Sequence, residues 1–243
     1  MLPRSVSSAL TPRVDAWLLD ARRLSHDVLV GGGTEQEREV RRMRLAADAA
    51  EMETLAIHLG YETSAGAPMV RGLDQLRLRM VAHPTLLASI EDRLVALRSG
   101  GRTLPSGLFK VCTELARWLA EGEQDRRQAD VLRAALRAAQ PPLGEGAAWA
   151  QIMAAGLVMR LRQLLDVAQD CHALREAIAT GRDPADIVLA FAPEATPALV
   201  RPRDRGLALW AAVGAAASVL TCCAVWIGTG WPDGVRRRRS SRP

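Results

Sequence analysis

Cys171 and His172 stand side by side, and a thiol next to an imidazole is a pairing able to hold a zinc ion. Neighbours on a helix point about 100° apart, so the two do not close on one ion without ligands from elsewhere. His83 lies on an apolar stripe beside Pro84. The expected role is a hydrogen-bonded packing histidine, with a proton-sensitive contact as the alternative. The acid pairs Glu51/Glu53 and Glu91/Asp92 have spacings that do not share a helix face, so they do not form an acid/base couple. Gly31-Gly32-Gly33 has no following lysine and reads as a helix stop, not a phosphate loop. HExxH, GxSxG and Walker patterns do not occur. The expectation is a protein that is not an enzyme, with no catalytic residue, no cofactor and no metal.

Charge narrows the partners. The net charge of +5 hints at nucleic acid only until it is divided along the chain. Residues 200–243 carry eight arginines against two aspartates, which leaves the first 199 residues close to neutral. A basic excess confined to the end of the chain suits lipid headgroups and topology rather than a phosphate-binding face, so no nucleic-acid partner is expected. Lys110 is the sole lysine among 32 basic residues, a bias that points to a GC-rich bacterial genome. Cys112, Cys171, Cys222 and Cys223 form no CxxC, which fits a reducing compartment. The first nine residues lack the apolar core of a signal peptide.

The elements that must carry these residues read as helices throughout, giving an all-α fold: a cytoplasmic bundle of long helices followed by one transmembrane helix. A first helix is expected over Pro12–Val30, with Val14, Leu18, Leu19 and Val28 inward. Thr34 and Glu37 have capping-box form and open a second, to about Leu59, with Val40, Met43, Ala47, Ala50, Met52, Leu55 and Leu59 as its apolar side. Arg38, Arg41, Arg42 and Arg44 on that helix read as a solvated face paired with Glu35, Glu37, Glu39 and Asp48.

The most regular stretch runs from Met69 to Ser99. Leu73, Leu76, Met80, His83, Leu87, Ile90, Leu94 and Leu97 follow at spacings of 3, 4, 3, 4, 3, 4 and 3, a heptad seam that requires a partner helix along its length. Pro84 predicts a kink at His83 or a fresh helix start. Pro105–Gln140 follows, with a polar turn or protruding tip at Glu121–Gln128. Ala147–Thr180 carries an inner stripe of Leu157, Leu161, Leu164, Ala168, Cys171, Leu174 and Ile178. Asp183-Pro184 has the form of an N-cap and first-turn proline opening a short helix to about Phe191.

Residues 206–230 are uncharged, and about 20 apolar residues suffice to cross a bilayer. Cys222 and Cys223 fall inside this span as small packing residues. The expected organisation is a cytoplasmic helical domain over 1–192, a proline-spaced linker over 193–205, a transmembrane helix over 206–230 and a basic tail over 231–243.

Several stretches resemble the fusaric acid resistance (FUSC) and aromatic acid exporter family of inner-membrane proteins. Leu2-Pro3-Arg4-Ser5-Val6 and Arg13-Val14-Asp15-Ala16-Trp17-Leu18-Leu19-Asp20-Ala21 are similar to that family's exit from its first membrane bundle. Glu53–Leu59, Ile90–Arg98 and Cys171–Arg175 follow in order, and Arg203-Asp204-Arg205 with Trp226–Gly234 resembles the start of the second bundle. The family-motif positions are Asp204, Trp226, Trp231, Pro232, Asp233 and Gly234. Trp226 and Trp231 also fit an interfacial belt, and Pro232 and Gly234 a turn between spans.

The resemblance implies a bacterial inner-membrane efflux transporter for small aromatic carboxylic acids, with ion coupling. Its soluble domain would be cytoplasmic, and its partners the lipid bilayer, other membrane helices of the same exporter or protomer, and a periplasmic adaptor protein. One span encloses no pathway, so this chain is expected to be a truncated member or fragment, not transport-competent alone. Arg236-Arg237-Arg238-Arg239 replaces the apolar continuation of the family pattern and conflicts in topology with Arg201, Arg203 and Arg205, as a frameshifted tail would. The alternative is a tail-anchored helical interaction module whose heptad pairs with another protein.

Overall fold

A computed structural model describes residues 6–62, 67–99, 103–122, 125–144, 146–191 and 218–224. Among them are α1 (Val6–Val30), α2 (Glu35–Glu62), α3 (Ala67–Arg98), α4 (Ser106–Glu121), α5 (Arg126–Ala138), α6 (Trp149–Thr180) and a 3₁₀ turn at Pro184–Asp186, with no strand among the described residues. The chain divides into two compact units, Met1–Pro193 and Glu194–Pro243.

The first unit is built on α3 and α6. Each has 32 residues and is about 48 Å long at ~1.5 Å per residue. They pack against each other, with α2 against α3, α5 against α6, and α1 touching α2, α3, α4 and α6. All eight positions of the α3 heptad are buried, as is the whole α6 stripe. Each buried leucine contributes roughly 1.5–3 kcal/mol, so the seam is the main source of the bundle's stability. Gly72 on α3 permits a close approach: a β-carbon there would stand 3.0 Å from Pro184 Cγ and 3.3 Å from Ile178 Cγ1.

Pro84 neither breaks nor restarts α3. It is buried mid-helix, and the helix runs through it. Losing one hydrogen bond costs less than exposing the seam on either side. Pro12 is likewise inside α1, which begins at Val6 and not at the proline. Gly31 ends α1 at φ +80°, its N–H and that of Gly32 both donating to the Asp27 carbonyl at 2.9 and 2.8 Å. The capping box then forms: Glu37 N–H donates to Thr34 Oγ1 at 3.2 Å, and Thr34 N–H to Glu37 Oε2 at 2.9 Å.

Two faces depart from expectation. Leu19 points outward, and Trp17, Leu24 and Leu29 join Val14, Leu18 and Val28 inside. On α2 the inward residues are Leu45, Ala49 and Met52, while Val40 and Met43 are more than half exposed and Ala47 and Ala50 are also outside. The helix carries two apolar faces. Arg38 and Arg42, on the Leu45 side, decide between them because Glu91 of α3 is their partner. The stretch Pro105–Gln140 forms two helices, α4 and α5, and the break between them falls within Glu121–Gln128, where a turn or tip was expected; Asp125 caps α5 by accepting from Arg127 N–H at 3.1 Å. The short helix expected to reach Phe191 ends at Asp186.

In the second unit, residues 218–224 are helical with exposed side chains, Cys222 and Cys223 included. Among the described residues no helix is long and apolar enough to cross a membrane. The rest of the expected span over 206–230, the linker and the tail lie outside the described residues, as do Asp204, Trp226, Trp231, Pro232, Asp233 and Gly234.

Candidate functional site at the exit of the bundle

After α6 the chain turns back through Asp183, whose carboxylate accepts from Ala185 N–H at 3.0 Å as an N-cap and pairs with Arg71 of α3 at 2.6 Å. Capping by Ala185 N–H, then the Arg71 pair, hold the Asp183 carboxyl below the usual range. Residues 187–191 then lie over α6 and are held by one buried ion pair. Asp170 of α6 accepts from Ala190 N–H at 2.7 Å and from Phe191 N–H at 3.0 Å, and Arg79 Nε donates to the same carboxylate at 2.9 Å. Arg79 Nη2 donates to the Phe191 carbonyl at 3.0 Å, and Nη1 to the Gln75 carbonyl and Oε1 at 2.9 and 2.8 Å. The Arg79 and Asp170 side chains are only 2% and 3% exposed. The guanidinium also stands 6.0 Å from the Phe191 ring centroid. With every polar atom engaged, the pair meets the condition under which a buried charge is tolerated.

Further ion pairs gather at the same end. Arg175 near the end of α6 grips Asp15 of α1 through two bonds of 2.8 and 2.9 Å, which lowers the Asp15 carboxyl pKa. Arg13 of α1 pairs with Glu51 of α2 at 3.0 Å. Beside residues 187–190 a polar groove of about 810 Å³ opens between α5 and α6. Arg133 crosses it to Asp166 at 2.7 Å, with Asp130 and Gln169 as further partners. Arg182 pairs with Glu176 at 2.6 Å, so much of the groove's charge is matched internally.

The family model for the fusaric acid resistance protein family aligns with residues 1–236. The chain belongs to that family. No curated protein and no solved structure matches it. Membership of the fusaric acid resistance protein family suggests a membrane-transporter-like function and an association with membranes.

The residues with chemical capacity are scattered through this family member's bundle. Cys171 is in the core, its thiol pushed up to about 12 by burial. His172 faces the groove instead, its imidazole pKa lowered by partial burial and then by Arg22. No group of three or more His, Cys, Asp or Glu is placed to hold a metal among the described residues. His83 is the packing histidine: Ser25 Oγ donates to the Ala21 carbonyl at 2.7 Å, so the 3.0 Å contact with His83 Nε2 requires that nitrogen to donate. Its Nδ1 has no partner among the described residues, Trp17 meets its ring edge-on at 5.5 Å, and burial lowers its pKa to about 4. Sequence reasoning missed Arg79 and Asp170. Each sits one position before a seam residue, Met80 and Cys171, and a charged residue flanking a seam was the available signal.

Proposed function

We propose that this chain is part of an inner-membrane efflux system for small aromatic carboxylic acids, and that its helical body is the cytoplasmic domain that braces the membrane helices. Residues 206–230 cross the bilayer in this reading. Since one span encloses no pathway, transport requires further membrane helices beside it, with a periplasmic adaptor as a further partner. The body has no enzymatic role and carries no cofactor.

The observation that supports this most is the Arg79–Asp170 clasp. It fixes the backbone at Ala190 and Phe191 to the central helix pair, immediately before the segment that leads to residues 206–230. A passive tether has no need of a buried ion pair at its root. The alternative of a tail-anchored interaction module relied on the α3 heptad as a docking surface. That seam is filled by the chain's own helices.

Two measurements test the proposal. Full-length chain is expected in the membrane fraction and chain lacking residues 206–230 in the soluble one; an unchanged distribution would overturn the membrane reading. In the native host, disrupting the gene is expected to raise sensitivity to aromatic carboxylic acids, and equal sensitivity with and without it would overturn the transport reading.

A further inference from the structure

The second apolar face of α2 has no partner among the described residues. Val40, Met43, Ala47 and Ala50 lie at spacings of 3, 4 and 3, with Val40 56% and Met43 57% exposed. At 3.6 residues per turn they fall nearly opposite Leu45, Ala49 and Met52, which face the core. Such spacing makes a heptad seam, with Val40 and Ala47 at a and Met43 and Ala50 at d. The two alanines allow close approach of another helix.

We propose that this face pairs with the α2 face of a second copy of the chain, the two helices running parallel. Charge selects the occupant and the direction. Glu39, whose carboxylate also accepts from Arg42 of its own helix, precedes the first a position and Arg44 follows the first d position, so they occupy g and e. In a parallel pair g of one helix meets e of the other, placing Glu39 against Arg44 of the second copy on both sides of the seam. An antiparallel pair centred on the stripe sets Arg44 against Arg44.

The ends of the bundle agree. Arg13–Glu51, Arg175–Asp15 and Arg71–Asp183 gather the starts of α1 and α3, the later part of α2 and the exit from α6 at one end. Parallel pairing therefore leaves both exit segments on the same side, as two chains entering one bilayer require. This last argument rests on the membrane reading above. The four-residue stripe falls short of the roughly 800 Å² per partner of a standing soluble complex, so the pair is weak in solution and confinement in a shared membrane raises its occupancy.

The test is oxidative crosslinking of the full chain carrying Cys222→Ala and Cys223→Ala, read in whichever fraction holds it. Val40→Cys and Met43→Cys are each expected to yield a disulfide-linked homodimer, while Val95→Cys, at a similarly exposed position on α3, does not. Arg44→Glu should abolish the dimer band and Glu39→Arg with Arg44→Glu should restore it. All of these positions are exposed, and an unchanged thermal unfolding curve confirms folding of each variant. The proposal is overturned if neither cysteine crosslinks, if Val95→Cys crosslinks equally, if the product contains a different protein, or if charge reversal changes nothing. A homodimer found in the soluble fraction would support the pairing while removing the membrane reading.

Discussion

His83 shows how much of one residue's behaviour lies in its surroundings. A neutral imidazole donating from Nε2 fits its site, whereas an imidazolium would carry a second proton on a nitrogen that meets no acceptor among the described residues. Its pKa in the fold is about 4 against 6.5 when unfolded, so the unfolded chain binds the proton more tightly. Stability contributed by the neutral form is complete above pH 6.5 and falls as the pH drops from there towards 4. Each tenfold difference in proton affinity is worth ~1.36 kcal/mol, so the loss approaches about 3 kcal/mol. His83→Gln keeps a donor for Ser25 and removes the titration. Denaturant unfolding at pH 7 and at pH 4.5 should therefore show a smaller acid-induced drop in the variant. The seam position of His83 was legible from spacing. Its partner Ser25 was not, because 58 residues separate them and only the packing of α1 on α3 brings them together.

For the elements, ion pairs decide what apolar periodicity leaves open. The α3 and α6 stripes were fully legible, since each helix has a single apolar face and that face must be covered. α2 has two, and the choice is made by Glu91, which accepts from Arg38 Nε at 2.6 Å and also from Arg42. Arg38 also donates to the carbonyls of Gly32 and Gly33 at 2.8 Å each, tying the α1–α2 turn to α3. The arginines read as a solvated face thus include two that are nearly buried. Glu91→Leu should cost about 1–3 kcal/mol, because Arg38 loses its carboxylate and Arg42 is left with Glu39 alone, measurable by denaturant titration. Arg79→Leu should cost about 3–5 kcal/mol by leaving the buried Asp170 carboxylate without its cation, and Arg79→Leu with Asp170→Leu less than the sum of the single changes. Because the double variant still lacks acceptors for Ala190 and Phe191 N–H, hydrogen exchange at those amides should rise in it. Gly72→Val tests this close approach: wedging α3 from Ile178 and Pro184 is expected to cost about 1–3 kcal/mol.

Across the whole molecule, the described hydrophobic core lies entirely in the Met1–Pro193 unit. Chain lacking residues 206–230 is therefore expected to unfold with the same thermal midpoint as full-length chain in detergent; a markedly lower midpoint would mean that the second unit contributes to the core. The helical class and family were legible in the sequence, since heptads, caps and short motifs are local signals. The clasp at the exit was not, because it is assembled by residues 91 positions apart together with backbone from a third segment.

That clasp also makes the domain's mechanics readable. Tension arriving at Phe191 does not first stretch residues 181–189, because the Ala190 and Phe191 amides and the Phe191 carbonyl are pinned to a carboxylate and a guanidinium on the two 32-residue helices. Force is delivered as torque on α3 and α6 together, at the end where α1 is tied by Asp15. A pair of helices about 48 Å long, gripped at one end, is a lever arm, so a small rotation at the root becomes a displacement of several ångströms at the Gly31–Thr34 turn.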